Sequence, residues 1–219
     1  MELSDSIQSK FNIDVLSNDP LVFTIDNFLT NEECDHLIAL AKPNFQQALV
    51  SDGKKGVVSK GRTGSNCWIK KDTDKITRGV AKKISDLVKI PLENTENFQA
   101  IYYGVDQRYN AHYDAYVKED TEKCRRCLKY GGQRVLTALL YLNDVESGGG
   151  TSFPKLEISS EAQKGKLLVF NNCLEGTTDL HPHSLHAGLP VEEGEKYAIN
   201  LWFREISKTK LYDFPFLSK

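Results

Sequence analysis

The chain has almost no net charge, no apolar run of membrane length and no second CxxC pair, and each absence removes a class of function. Lysine and arginine number 28 against 30 aspartates and glutamates, a formal net charge of −2. No bulk field therefore draws the chain to nucleic acid or to an anionic membrane. No hydrophobic stretch approaches the roughly 20 residues that span a bilayer. Residues 1–10 lack a basic region followed by an apolar one, so the start does not read as a signal peptide. The five cysteines do not make a disulfide framework, and their odd count leaves at least one thiol free or joined to another chain. Cys124-Arg-Arg-Cys127 is a lone CxxC. A pair of loop cysteines or a local disulfide is the first reading. Zinc with a distant ligand comes second, since two further ligands would be needed. Thiol redox catalysis comes third, because no thioredoxin-like βαβ pattern surrounds the pair. The phosphate-loop pattern Gly-x4-Gly-Lys-[Ser/Thr] is also missing. The glycine- and lysine-rich stretch 51–66 is then a loop, either a plain surface excursion or a lid over substrate. No internal repeat or long low-complexity segment interrupts the chain.

What is present fits one domain of 219 residues, with 40% hydrophobic and 26% charged residues. Residues 20–26 predict a strand. Thr30-Asn-Glu-Glu33 is a capping box that opens a helix running to about Ala41. Ile76, Val80, Ile84, Leu87 and Val88 fall on one face of a second helix from about Asp74. From about Phe98 the texture changes to short strands at 98–104, 134–142, 166–170 and 196–203, separated by turn signals. The pattern predicts an α+β, mainly β fold: an antiparallel sandwich or barrel with the early helices packed outside it. The expected division is an N-terminal layer at about 20–95 and a β core at about 96–206, within a single domain at 1–219.

The chemistry-bearing residues lie in the β half. His112 and Asp114 are two apart, so an extended strand would point both the same way. His-X-Asp by itself is a common polar pair. A third ligand would turn it into a two-histidine, one-carboxylate face, which leaves half of an octahedral ion open, as non-haem Fe(II) oxygenases require. His181, His183 and His186 are the candidates; Pro182 disfavours convergence of all three, and His186 leads into renewed strand pattern. Ten residues further, Lys196 opens a strand. Period two puts Lys196, Ala198, Asn200 and Trp202 on one face and the apolar Tyr197, Ile199, Leu201 and Phe203 on the other. A solvated lysine at a turn is the ordinary reading of Lys196. A buried ammonium held for an anionic cosubstrate is the functional one, and it would need a carboxylate partner.

Three segments then carry a specific resemblance. Leu185-His-Ala-Gly-Leu-Pro-Val-Glu-Glu-Gly-Glu-Lys196 with Leu201-Trp-Phe-Arg204 resembles the C-terminal signature of the prolyl 4-hydroxylases, Fe(II)/2-oxoglutarate dioxygenases. Tyr102-Tyr-Gly-Val-Asp-Gln-Arg-Tyr-Asn-Ala-His-Tyr-Asp114 resembles their first metal motif, and Gln133 to Pro154 their central strand pair. The similarity runs from about Asp26 to Glu205 and is greatest to the small enzymes of plants, algae and large algal viruses. It implies a double-stranded β-helix (jelly-roll) core. It implies that His112, Asp114 and His186 hold Fe(II), and that Lys196, Tyr103 and Thr137 bind 2-oxoglutarate. Tyr109 and Trp202 would line the mouth for the peptide proline, and Arg62 would belong to a segment that folds over the peptide. Lysine at 196 resembles prolyl rather than lysyl hydroxylases. Where the family often has Gly-Gly-Glu-Thr, this chain has Gly149-Gly150-Thr151. The implied partners are ascorbate as reductant and a proline-rich or collagen-like peptide, with no nucleic acid or membrane and a monomeric protein. Two other functions stay open here: a different oxygenase of the superfamily, and a proline-rich-peptide binding module with a non-catalytic metal site.

Overall fold

The computed structural model describes residues 11–48, 50–51, 56–57 and 61–214. Its strands in chain order are β1 (Ile13–Asn18), β2 (Leu21–Ile25), β3 (Gln46–Gln47), β4 (Val50–Ser51), β5 (Gly56–Val57), β6 (Ser65–Ile69), β7 (Phe98–Tyr103), β8 (Tyr109–His112), β9 (Arg134–Tyr141), β10 (Ser147–Gly148), β11 (Thr151–Phe153), β12 (Ile158–Ser160), β13 (Leu167–Asn171), β14 (His186–Gly188), β15 (Val191–Glu193) and β16 (Lys196–Arg204). Among the described residues three α-helices accompany them: α1 (Asn31–Ala41), α2 (Lys75–Val88) and α3 (Glu122–Leu128).

Helix α1 starts where the sequence places it. Glu33 N–H donates to Thr30 Oγ1 and Thr30 N–H to Glu33 Oε2, which closes the capping box. Asp74 caps α2 with Thr77 in the reciprocal position, and the helix ends on Lys89 in the left-handed region. The buried face of α2 is Thr77, Val80, Ala81, Ile84, Leu87 and Val88. Ile76 does not belong to it and is 37% exposed. One residue is 100° of helix, so Thr77 rather than Ile76 points inward in the first turn.

The strands form an antiparallel sandwich, the double-stranded β-helix. The major sheet has the order β1-β2-β13-β9-β16-β7-β6-β3, and the minor sheet β12-β11-β14-β8. Period two then sorts the side chains of β16. Tyr197, Ile199, Leu201 and Phe203 join one apolar cluster with Leu37, Val80, Ile84 and Leu87 from the helices. Ala198 faces the other cluster, where Tyr141 and Phe170 of the major sheet meet Phe153 of the minor one. The helices thus cover the outer face of the major sheet, and the site lies between the sheets.

The N-terminal segment is more than a supporting layer. Strands β1, β2, β3 and β6 complete the major sheet on both flanks, so no structural boundary falls near residue 96. Strand β6 emerges from the end of the glycine-rich stretch, where the sequence reads as loop. Part of that stretch, residues 52–55 and 58–60, lies outside the described residues. The CxxC pair is not in a loop: Cys124 and Cys127 lie on α3, and both are free thiols. Among the described residues no helix is long and apolar enough to cross a membrane.

Candidate active site

Strand pairing brings the first two candidate ligands together. β8 and β14 are antiparallel, and His112 is the direct partner of His186. Directly opposed residues share a face, and the two rings lie 4.4 Å apart between centroids. Asp114 follows two residues after His112, just beyond the end of β8, and is buried. Ligand atoms of His112, Asp114 and His186 all lie within 4.8 Å of one another. His181 stays apart. It is held by Asp19 Oδ1 at 3.0 Å and by the His183 backbone N–H, so both its ring nitrogens are occupied.

Hydrogen bonds assign the tautomers. Nδ1 of His112 lies 2.9 Å from the Asn110 carbonyl, and Nδ1 of His186 lies 2.9 Å from the Ser184 carbonyl. A carbonyl only accepts, so each Nδ1 carries a proton, which leaves Nε2 as the nitrogen for ligation. The two Nε2 atoms face Asp114, at 3.8 Å from Oδ1 for His112 and 3.7 Å from Oδ2 for His186. Burial, with His186 close by, pushes His112 down to about 3 and keeps it a neutral ligand at physiological pH. Burial alone would raise the Asp114 carboxyl; the imidazoles, Arg134 and the Thr137 hydroxyl outweigh it and hold it at about 2. Two imidazoles directed through Nε2 and one carboxylate are the donor set that suits a ferrous ion with open positions.

The carboxylate is held by residues that the sequence points elsewhere. Thr137 Oγ1 donates to Asp114 Oδ2 at 2.7 Å, and Trp202 Nε1 donates to the same oxygen at 2.8 Å. Asn172 Nδ2 donates in turn to Thr137 Oγ1 at 2.9 Å. Two donors on Oδ2 leave Oδ1 as the uncommitted oxygen. Thr137 is therefore placed against the carboxylate rather than beside Lys196, because it is in register with Trp202, six residues along β16 from the lysine. Trp202 is likewise not an open lip of the mouth. It is 4% exposed, with the Arg134 guanidinium 3.7 Å from its ring centre. Glu96 bridges Arg134 and Arg204 at 2.7 Å each. Burial raises this carboxyl, but the two guanidiniums more than offset that and keep it below the usual range. Neither Arg134 nor Glu96 stood out in the sequence, since a lone Glu-Asn-Phe and a Gln-Arg-Val carry no pattern.

Lys196 lies deeper. It is 1% exposed, pairs across the sheet with Tyr103, and lines the same cavity as the three ligands. Its Nζ is 5.1 Å from the Tyr141 ring centre and 5.8 Å from that of Tyr103. No carboxylate partner faces it among the described residues, and burial pushes it down to about 7. A buried ammonium without a counter-ion is costly, so the pocket is built to receive an anion there. Tyr141 donates to Thr151 Oγ1 at 2.8 Å, so the threonine after the triple glycine partners this phenol.

The cavity measures about 690 Å³. Tyr109 stacks on His112 with centroids 3.6 Å apart, and Arg62 lies 4.7 Å above the Tyr109 ring. Arg62 is buried, donates to Gln99 Oε1 at 3.1 Å, and has an Nε with no acceptor. Gly64 holds this segment in place: a Cβ there would collide with the Tyr103 ring, so only glycine lets the backbone lie against it. The charged run after Asp114 forms a wall of the cavity through Val117, Glu119, Thr121 and Lys123.

Comparison with known proteins agrees with this geometry. Residues 98–204 match the 2OG-Fe(II) oxygenase superfamily. Prolyl 4-hydroxylase 5 of Arabidopsis thaliana is 37% identical over 212 residues, spanning 87% of this chain and 70% of the relative. A putative prolyl 4-hydroxylase of Acanthamoeba polyphaga mimivirus is 34% identical over 195 residues, spanning 89% of this chain and 77% of the relative. Among solved structures, the viral collagen prolyl hydroxylase of Paramecium bursaria Chlorella virus-1, in complex with 2OG, superposes with a TM-score of 0.68 at 31% identity. That match covers 84% of this chain and 96% of the viral enzyme. The fold and site define an Fe(II)/2-oxoglutarate-dependent dioxygenase. Within that class, this chain belongs to the prolyl 4-hydroxylase family.

Proposed function

We propose that the protein hydroxylates C4 of proline within proline-rich or collagen-like peptides. The observation that carries this reading is the pairing of an ion-binding triad with a buried, partnerless lysine in one cavity. The reaction consumes O2 and 2-oxoglutarate, puts one oxygen atom into hydroxyproline and the other into succinate, and releases CO2. Fe(II), bound by His112, Asp114 and His186, supplies the oxidising chemistry, with ascorbate as the reductant that keeps it ferrous.

The chain's own residues supply placement. Lys196 holds the distal carboxylate of 2-oxoglutarate by a charge-assisted bond, and Tyr103 stands beside it on the neighbouring strand. Thr137 and Trp202 orient Asp114 so that one carboxylate oxygen faces the ion. Tyr109, stacked on His112 and covered by Arg62, borders the mouth where the proline enters. Arg62 lines the same mouth, where a polyproline II chain presents its exposed carbonyls. The protein acts as a monomer in this reading, since one chain contains every group named.

The test is incubation with Fe(II), 2-oxoglutarate, ascorbate and a panel of proline peptides, followed by mass spectrometry. One added oxygen on proline, with succinate formed in equal amount, is the expected result. Succinate that forms equally with and without peptide would point to a different substrate class.

A further inference from the structure

The main-sheet floor continues past the metal triad toward β6. Trp68 on β6 pairs directly with Gln99 on β7, and Gln99 pairs with Asn200 on β16. Directly opposed residues share a face, so these three side chains form one row across three strands. Gln99 and Asn200 line the cavity, which identifies the face as the active-site face. The neighbours Cys67 and Ile69 point the other way, into the apolar cluster under the helices.

Each member of the row has unused binding capacity. Gln99 Oε1 accepts from Arg62, and its Nε2 has no partner among the described residues. The half-buried Asn200 amide likewise has none there. Trp68 is 53% exposed although it is one of only two tryptophans in the chain. Its ring lies 6.0 Å from that of Trp202, which donates to Asp114. The row is therefore continuous with the site and runs outward from it.

We propose that Trp68, Gln99 and Asn200 form a second peptide subsite, for a proline residue flanking the one that is hydroxylated. The proposal rests on the peptide reading of the site given above. The Trp68 ring lies 6.0 Å from that of Trp202 at the edge of the site, and a polyproline II chain rises ~3.1 Å per residue, so a peptide in the site reaches Trp68 within a few residues of its target. Trp68 stacks on the flanking pyrrolidine ring. The two amides, which both donate and accept, bond the peptide carbonyls and any N–H between the rings. The subsite makes the enzyme prefer peptides with a second proline a few places from the target.

The experiment compares a long proline-rich peptide of about ten residues with a short one of about three, which reaches the metal but not Trp68. Steady-state hydroxylation is measured with the whole chain. Trp68→Ala raises KM for the long peptide about five- to tenfold, with kcat retained, and moves KM for the short one less than about twofold. Trp68→Tyr restores most of the loss, because a flat ring suffices. Asn200→Ala raises the long-peptide KM by about threefold or more. Ile76→Ala, which removes an exposed apolar side chain on the outer helix, leaves both peptides unaffected. Replacing the flanking prolines by alanine, one at a time, finds one position whose loss costs the wild type as much as Trp68→Ala does and costs that variant nothing more. An unchanged long-peptide KM in Trp68→Ala, or equal losses on both peptides, overturns the subsite while leaving the hydroxylase reading intact. Failure of the wild type to oxidise any peptide, with 2-oxoglutarate still consumed, overturns the peptide reading itself.

Discussion

Binding of 2-oxoglutarate should take up a proton, because Lys196 is only partly charged before the anion arrives. Burial lowers this lysine from its usual value to about 7, with no acid to hold the charge. At pH 7 about half of the side chains are then neutral, and at pH 8 about nine in ten. The distal carboxylate of the cosubstrate favours the ammonium and raises its pKa in the complex. Uptake is therefore about half a proton at pH 7 and close to one at pH 8. The apparent Kd rises up to about tenfold per pH unit above the folded value, until the pKa of the complex is reached. His112 is neutral and Asp114 ionised throughout the range, so neither contributes to this signal. The assay is anaerobic calorimetry with Mn(II) in place of the ferrous ion, in buffers of different ionisation enthalpy. Lys196→Met is the control and should bind weakly with no uptake. The same shift governs stability without ligand. Between pH 7 and the unfolded lysine value the unfolded chain binds the extra proton, so the ligand-free protein gains stability as pH rises there. Zero proton uptake at pH 8, with a pH-independent Kd, would refute Lys196 as the anion clamp.

Three further outcomes follow from the site. Alanine at His112, Asp114 or His186 should abolish Mn(II) quenching of tryptophan fluorescence, which reports from Trp202 beside Asp114, and should reduce hydroxylation below detection. Trp202→Phe keeps the ring but removes one of two donors to Asp114 Oδ2; metal affinity should fall about 10- to 100-fold in a chelator competition, with the fold unchanged by circular dichroism. Glu96→Gln leaves Arg134 and Arg204 buried without their shared carboxylate and should cost about 3–5 kcal/mol in urea unfolding. Because the folded Glu96 carboxyl lies below its unfolded value, its contribution is present above the unfolded value and disappears as pH falls through the folded one, so wild type and variant should converge in acid.

Local rules carried far at the level of elements. The capping box before α1, the apolar stripe of α2 and the alternation of β16 are short-range patterns, and the sandwich with its outer helices follows from them. His-X-Asp and the later histidine were legible because the residue types alone restrict the chemistry. The surroundings of Thr137 and Trp202 were not legible in the same way, because the partner of a strand residue is set by register across the sheet. Register put Thr137 opposite Trp202, and both side chains reached Asp114. Strand β6 was hidden by the glycines before it. The helical setting of the CxxC pair depends on Thr121 capping a single short turn pair, which charge and composition do not reveal.

By itself, the order of residues determined which groups exist and which face of each element they occupy, because backbone periodicity is a local property of the chain. Tertiary structure alone decided who meets whom. It joined His112 to His186 across a strand pair, assigned two donors to one oxygen of Asp114, and buried the Lys196 ammonium where no acid faces it among the described residues. Those results depend on packing and register over long separations, where free energy is set by neighbours distant in the chain.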